Sequence, residues 1–283
     1  MDIINYMATH NTKFNVFKNS LQFLIGASML IALGQPVDYG RLLLSLLGFL
    51  LAYQSVYGMN DILDFSEDSK SKLKRALKPF ARGEISLETQ VSKMFLYMLF
   101  GLSICFFVNT FFGFLVAAML LLNFFHSYKP LNIKRTLIGL VNIFLIEFIK
   151  FSCGWFAIGG SFQNFPYLIP LFMSSAYAMG YYNYKTELSA NFFIKKRSII
   201  SFFLSLIFYL ASVFIYKDFR ISLIAIFPII FLPYLIPKNK DFIEKLKRGF
   251  GVVTGIMIIF ILLNFLLPYE PFHSINLWLG NLF

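Results

Sequence analysis

Long apolar runs recur from one end of the chain to the other, and they constrain the fold more than any other feature. A helix of roughly 20 apolar residues crosses the hydrocarbon core of a bilayer. Only 14% of the 283 residues are charged and 58% are hydrophobic, whereas a soluble domain carries about 25% charged residues. Such a chain has too few polar residues to form the surface of a water-soluble protein. The sequence therefore predicts an all-α polytopic membrane protein.

The apolar runs are separated by Pro, Gly and charged residues, and they predict nine transmembrane helices in a single domain, 1–283. The predicted spans cover residues 17–34, 41–59, 91–108, 111–127, 136–160, 166–184, 198–216, 219–236 and 250–267. Only Asn109 and Thr110 separate the third span from the fourth, which predicts a tight hairpin. The halves of the chain show no internal repeat of the kind that marks inverted-repeat transporters.

The net charge of +11 reports topology rather than a nucleic-acid partner, because the basic residues are scattered through short loops. Of the 25 Lys and Arg residues, 21 lie near the N-terminus or in the loops after the second, fourth, sixth and eighth spans. Basic loops stay in the cytoplasm. The distribution predicts a cytoplasmic N-terminus, cytoplasmic motif loops and a C-terminus on the opposite side.

Acidic residues gather where the second span ends, in the segment Asn60-Asp61-Ile62-Leu63-Asp64-Phe65-Ser66-Glu67-Asp68. Asp61, Asp64 and Asp68 share one helix face at i, i+3 and i+7. Carboxylates at a helix C-terminus meet the negative end of the macrodipole, so a cation should offset the repulsion. Mg²⁺ prefers oxygen ligands and often links carboxylates to substrate phosphates. The motif predicts a Mg²⁺ site, with screening by Lys70, Lys72 and Lys74 as the alternative.

Three segments resemble motifs of the UbiA superfamily of intramembrane prenyltransferases. Residues 60–68 resemble its first aspartate-rich motif. Residues 78–86, Lys-Pro-Phe-Ala-Arg-Gly-Glu-Ile-Ser, are similar to its Arg-Pro-x-x-x-Gly-x-Ile-Ser segment, with Lys in place of Arg. Residues 128–135 resemble its Tyr-Ser-x-Pro-Pro-x-x-x-Lys-Arg loop. The resemblance implies a UbiA-type bundle that moves an isoprenoid chain from a prenyl diphosphate to a lipophilic or aromatic acceptor within the bilayer.

The second aspartate motif of that superfamily, after span six, has lost its aspartates here. The corresponding residues 181–189 contain Glu187 as the only carboxylate and Asn183 as a neutral oxygen ligand. This stretch resembles the branch that transfers phosphoribose from phosphoribosyl diphosphate to a polyprenyl phosphate. That reaction and terpene cyclisation remain open as alternatives, and a lipid transporter is the alternative that is not an enzyme.

The resemblance also implies roles for individual residues. It assigns Mg²⁺ binding to Asp61, Asp64 and Asp68, substrate binding to Asn60, Asn183, Glu187 and Lys134, and catalytic contacts to Lys78, Arg82, Lys185 and Tyr128. Positive residues of these loops would offset charge on the diphosphate. The competing interpretation makes the lysines topology signals and Tyr128 an interfacial tyrosine.

One ionisable pair lies inside a predicted span. Glu147 and Lys150 are three residues apart in span five, a spacing that lets them pair on a helix. Charged residues at membrane depth face each other or a cavity. The sequence leaves open whether this pair is structural or faces the substrate.

Overall fold

The computed structural model describes residues 3–70, 75, 78–131, 133, 136–189, 192–216, 255 and 257–266. Within these ranges the chain is helical and contains no strand, which confirms the all-α prediction. The helices are α1 (Ile3–Ala32), α2 (Tyr39–Leu63), α3 (Phe65–Asp68), α4 (Pro79–Arg82), α5 (Leu87–Val108), α6 (Thr110–Ser127), α7 (Ile138–Ala157), α8 (Leu168–Ser189), α9 (Phe192–Tyr216) and α10 (Met257–Leu266), with a 3-10 turn at Lys129–Leu131.

Five of the described helices are long and apolar enough to cross a membrane: α2, α5, α6, α7 and the Lys196–Tyr216 part of α9. They match five of the predicted spans. The predicted spans 17–34 and 166–184 fall largely within α1 and α8. The predicted span 219–236 lies outside the described residues, and only 257–266 of the last span is described. The total of nine therefore stays a prediction.

The tight hairpin between α5 and α6 is confirmed. Asn109 is both the C-cap of α5 and the N-cap of α6. Its extended backbone breaks the helix, and its side-chain Oδ1 accepts a hydrogen bond from the Phe112 N–H at 3.0 Å. That bond satisfies one of the free N–H groups of the new helix.

Helix α7 lies at the centre of the bundle. Among the 18 consecutive residues of α7 that are most apolar, 72% are buried. In the corresponding stretch of α5, only 11% are buried. Helix α7 packs against α1, α6 and α8, and α2 packs against α5 and α6. The outer face of α5 exposes large apolar side chains such as Phe95, Leu99 and Phe107, as expected of a helix that faces lipid.

Helices α1 and α7 approach each other backbone to backbone through two glycines. A Cβ atom at Gly154 would overlap the backbone of Phe23 and Ala27, and one at Gly26 would overlap the carbonyl oxygen of Phe151. Small residues allow such close contact between membrane helices. Gly26 lies one turn after Gln22 and Gly154 one turn after Lys150, so this contact brings the polar residues of both helices together.

Gly154→Ala is expected to destabilise the bundle by about 1–3 kcal/mol, because the added methyl group must push two helix backbones apart. Thermal unfolding of the purified protein in detergent measures the effect. Gly255→Ala is the matched control, since no atom of the described residues lies within 4 Å of the Cβ position there and alanine favours a helix over glycine. Equal melting temperatures for the two variants would contradict the close packing of α1 and α7.

Candidate active site

The aspartate segment crosses a break between two helices. Helix α2 ends at Leu63, and Asp64 caps it with a backbone N–H that donates to the Asn60 carbonyl at 2.9 Å. The carbonyl of Asp64 then accepts from the backbone N–H groups of Glu67 and Asp68, both at 2.9 Å, and begins the single turn of α3. The backbone therefore continues as a helix after a single break at Asp64. The carboxylates remain near one another, as the i, i+3, i+7 spacing predicted.

Lys78 joins two of these aspartates. Its Nζ lies 2.7 Å from Asp61 Oδ1 and 2.7 Å from Asp68 Oδ2. Burial alone would lower the pKa of Lys78, but the charge and hydrogen bonds of the two carboxylates outweigh burial and hold the pKa above its ordinary value. The lysine therefore stays protonated across the physiological pH range.

The position of Lys78 is set by the start of α4. Pro79 occupies the first turn of this helix, where its missing N–H costs nothing. Phe80 packs its ring against Phe65 of α3, with the ring centroids 5.0 Å apart. This aromatic contact fixes α4 beside α3 and so places the lysine against the carboxylates.

Asp61 and Asp68 provide the type of ligand that a hard divalent cation binds, carboxylate oxygen, but they are only two. Two carboxylate oxygens already converge on one positive atom, the Lys78 Nζ, and Mg²⁺ binds such oxygens at about 2.0–2.1 Å. Over the described ranges, no three His, Cys, Asp or Glu side chains are grouped in a metal-binding arrangement. The structure thus brings together two of the three predicted ligands and fills the position between them with a lysine.

Asn60 ties the end of α2 to the end of α6. Its Oδ1 accepts a hydrogen bond from Ser127 Oγ at 2.5 Å. Tyr128 follows directly, and its ring stacks on that of Phe124 at 5.3 Å. The loop after α6 is thereby anchored next to the aspartate segment.

Arg82 forms a bidentate pair with Glu84. The guanidinium Nε and Nη2 donate to the two carboxylate oxygens at 2.6 and 2.7 Å. Gly83, with a φ of +81°, turns the backbone between them. These hydrogen bonds hold the pKa of Glu84 below its ordinary value. The pair lies at the surface, at the C-terminal end of α4.

Toward the middle of the bundle, α2 contributes to a second set of polar side chains, which we call the inner polar cluster. Its members are Lys18, Asn19, Gln22, Tyr53, Tyr57, Glu147, Lys150 and Tyr177. Lys150 Nζ lies 2.8 Å from Glu147 Oε1, which confirms that these residues pair. Lys150 Nζ also lies 4.3 Å from the centre of the Tyr53 ring, close enough for a cation–π interaction.

Three hydrogen bonds connect helix α1 to this ion pair and its surroundings. Gln22 Nε2 donates to Glu147 Oε2 at 2.6 Å, and Asn19 Nδ2 donates to the Tyr57 hydroxyl at 3.1 Å. Lys18 Nζ donates to the Tyr177 hydroxyl at 3.0 Å. The sequence did not predict these partners. The available signal was the presence of Lys18, Asn19 and Gln22 at helical spacing within a predicted span.

The inner polar cluster and the aspartate segment follow one face of α2. Tyr53, Tyr57, Asn60 and Asp64 are spaced i, i+4, i+7 and i+11, which superposes them along a helix. At 1.5 Å per residue they extend over about 17 Å. Both groups of polar residues therefore include side chains on the same face of α2.

The sequence matches the UbiA prenyltransferase family over residues 21–237. The chain belongs to this family. The match includes the aspartate segment, Lys78 and most of the inner polar cluster. Together with the apolar helices, it makes this UbiA-family chain an integral membrane protein.

Solved structures of UbiA homologues have the same fold. A homologue from Archaeoglobus fulgidus bound to GPP and Mg²⁺ has a TM-score of 0.66 at 16% identity, and the alignment covers 87% of this chain and 95% of that one. The same homologue bound to DMAPP and Mg²⁺ gives 0.64 at 15%, with coverages of 88% and 96%. The apo homologue from Aeropyrum pernix K1 gives 0.66 at 14%, with coverages of 92% and 97%. No curated protein matches the sequence significantly.

Four of the residues that the UbiA resemblance assigned to the site lie beyond what the structure describes. Lys134 is outside the described residues altogether. Helix α8 includes positions 183, 185 and 187, but the side chains of Asn183, Lys185 and Glu187 fall outside the described part. Their roles, and the second metal site that depends on them, stay predictions.

Proposed function

We propose that this UbiA-family protein transfers an isoprenoid chain from a prenyl diphosphate to a lipophilic or aromatic acceptor, in a reaction that depends on Mg²⁺. The observation that carries the proposal is the convergence of Asp61 and Asp68 on one cation at the end of a membrane helix. The A. fulgidus homologue bound to GPP or DMAPP with Mg²⁺ supports it. The whole chain, 1–283, acts as one intramembrane domain in this proposal.

Asp61, Asp64 and Asp68 would hold the metal, with Asn60 beside them. Bound Mg²⁺ supplies positive charge that stabilises the departing diphosphate. Lys78 is already positioned at the carboxylates, so it can present its ammonium group to the diphosphate at the same edge of the site. Arg82 and Lys185 would add further fixed charge.

The remaining assigned residues would orient the substrates. Asn183, Glu187 and Lys134 would contact the diphosphate donor, and Tyr128 would line the site from the end of α6. In this proposal, the aromatic residues that precede the aspartates on α2 would exclude water and so prevent simple hydrolysis of an activated prenyl group. Tyr53 and Tyr57 pack edge to face there, with ring centroids 5.4 Å apart. Aromatic faces also stabilise a nearby cation.

One observation favours a second candidate function. Residues 181–189 contain no aspartate, so the second carboxylate cluster of a two-metal prenyl diphosphate site is missing. Phosphoribosyl transfer from phosphoribosyl diphosphate to a polyprenyl phosphate would use the same first motif and place the lipid in the acceptor role.

A donor screen separates these reactions. Purified protein in detergent receives geranylgeranyl diphosphate or phosphoribosyl diphosphate, with total lipid as acceptor and with or without Mg²⁺. Release of diphosphate from the prenyl donor only with Mg²⁺ is the expected result. Release from the phosphoribosyl donor alone would favour the second function. Release from neither donor would reject both and favour a lipid transporter.

Lys78→Gln is expected to tighten Mg²⁺ binding in the absence of diphosphate by about tenfold or more, because it removes a positive charge from between two carboxylates. The same variant should release diphosphate more slowly. Titration calorimetry with MgCl₂ measures the first effect. Lys93→Gln removes an exposed charge from α5 and serves as the control. Unchanged Mg²⁺ affinity in Lys78→Gln would place the metal elsewhere.

We also propose that the N-terminus and the loops with the motifs are cytoplasmic and that the C-terminus is on the opposite side. Single cysteines at positions 75 and 281 should then react with an impermeant reagent from opposite sides of sealed vesicles. The native Cys105 and Cys153 are buried, so their background labelling should be low. Labelling of both positions from one side would reject this topology.

A further inference from the structure

Ser127, the last residue of α6, uses its hydroxyl differently from other serines of the bundle. Ser45, Ser55 and Ser152 each donate to a backbone carbonyl three or four residues earlier in their own helix. A serine inside a helix commonly forms this local bond. The Ser127 hydroxyl donates instead to Asn60 Oδ1 at 2.5 Å, across 67 positions of the sequence. A contact between two helices therefore replaces the local bond.

The end of α6 holds Ser127 in a defined position. Ser127 is 3% exposed, and the helix ends directly after it, where the backbone of Tyr128 is extended and its N–H donates to the Phe124 carbonyl at 2.8 Å. Five residues before Ser127, the Leu122 carbonyl accepts a hydrogen bond from Asn142 Nδ2 of α7 at 3.2 Å. The end of α6 is therefore attached to both α2 and α7.

The bond from Ser127 fixes one end of the Asn60 amide. The serine engages the carbonyl oxygen, so the NH₂ group is the end that remains for another partner. A hydroxyl can also accept, so an amide that turned over would still be held by the serine at one end. Asn60 is partly exposed. It precedes Asp61 in the chain, and Asp64 lies one turn later on the same helix face.

We propose that Ser127 is a positioning residue for the diphosphate donor, because it holds the Asn60 amide so that the NH₂ group donates to a diphosphate oxygen at the aspartate segment. This role rests on the proposed function, which places the diphosphate there. Ser127 itself does not contact the substrate. A donor that is already held in place before the diphosphate binds stabilises its negative charge without rearrangement of the site.

Titration calorimetry on the full chain in detergent, with geranyl diphosphate or inorganic diphosphate in the presence of MgCl₂, tests this role. Ser127→Ala should weaken both ligands about tenfold, the loss expected for a hydrogen bond to a charged group. Ser127→Thr keeps the hydroxyl and should bind both within twofold of the unaltered protein. Equal losses in Ser127→Ala and Ser127→Thr would overturn the proposal.

Two further results with Ser127→Ala would also overturn it. A loss of affinity for geranyl diphosphate but not for inorganic diphosphate would mean that Ser127 acts on the isoprenoid chain. An equal loss of affinity for MgCl₂ alone would mean that the amide acts on the metal through its oxygen. We expect the affinity for MgCl₂ alone to stay within twofold.

Asn142→Ala separates positioning of the amide from loosening of α6. Like Ser127→Ala, it removes one hydrogen bond between α6 and a neighbouring helix, but the bond from Ser127 to Asn60 remains. It should bind inorganic diphosphate with MgCl₂ within twofold of the unaltered protein, whatever the change in its melting temperature. Equal losses of diphosphate affinity in the two variants would show that Ser127 matters only for helix packing.

Asn60→Ala tests whether the serine acts through the amide. This variant should bind diphosphate at least as weakly as Ser127→Ala, and the double variant should bind within twofold of Asn60→Ala alone. Losses that multiply in the double variant would mean that the two residues act independently, which would contradict a positioning role.

The unaltered protein distinguishes failure of this role from failure of the proposed function. If it binds geranyl diphosphate with Mg²⁺ and Ser127→Ala binds equally well, the positioning role alone is wrong. If the unaltered protein binds neither diphosphate ligand, the proposed function fails and the positioning role fails with it.

Discussion

Asp61→Ala is expected to lower Mg²⁺-dependent release of diphosphate by at least about 100-fold, since a metal that stabilises a leaving group supplies several kcal/mol and each 1.4 kcal/mol is about tenfold in rate. The variant removes one of the two carboxylates that meet at Lys78. Diphosphate release at limiting Mg²⁺ measures the effect. The fold should persist, because Asp61 is partly exposed and such ion pairs contribute about 1 kcal/mol or less.

Glu88→Ala is the matched control for this variant. Glu88 is an exposed carboxylate in the first turn of α5, outside the aspartate segment. It should leave the release of diphosphate nearly unchanged, which separates loss of a ligand from loss of general negative charge. Near-normal activity of Asp61→Ala at limiting Mg²⁺ would show that the metal binds away from this aspartate.

The sequence predicted the aspartate face but not how its charge is offset. The spacing of Asp61, Asp64 and Asp68 follows from helix geometry alone, and it survives the break at Asp64 because α3 starts at once. The bridge from Lys78 depends instead on a contact between α3 and α4, where Phe65 meets Phe80. The spacing of residues within one helix does not predict such a contact. The resemblance to a family motif therefore implied a catalytic role for Lys78 but did not predict that it pairs with Asp61 and Asp68.

In the inner polar cluster, too, the contact within one helix could be predicted from the sequence and the contacts between helices could not. The pairing of Glu147 with Lys150 follows from their i, i+3 spacing within one helix. The bond from Gln22 to Glu147 joins positions 125 residues apart. It depends on which helix lies against α7, and Gly26 and Gly154 set how closely that helix approaches. The sequence therefore predicted the pair of Glu147 and Lys150 but not the α1 residues that lie around it.

Lys150→Met is expected to lower the free energy of unfolding by about 3–5 kcal/mol, because it leaves the Glu147 carboxylate buried without its cation. Glu147 is 4% exposed and Lys150 is 1% exposed, so water cannot replace the lost partner. Gln22 would remain as a hydrogen-bond donor, but an amide does not neutralise the charge. Thermal and denaturant unfolding in detergent measure the change, with Lys93→Met as the control at an exposed position.

The double variant Glu147→Gln with Lys150→Met should recover most of that stability, since it removes both charges and lets the new amide oxygen accept from Gln22 Nε2. A neutral pair in a buried site is often as stable as the ion pair it replaces, whereas a single unpaired charge is not. The double variant should therefore unfold at a higher temperature than Lys150→Met alone, even though it carries one more substitution. If Lys150→Met proves as mild as Lys93→Met, the ion pair between Glu147 and Lys150 does not stabilise the bundle, and the prediction is wrong.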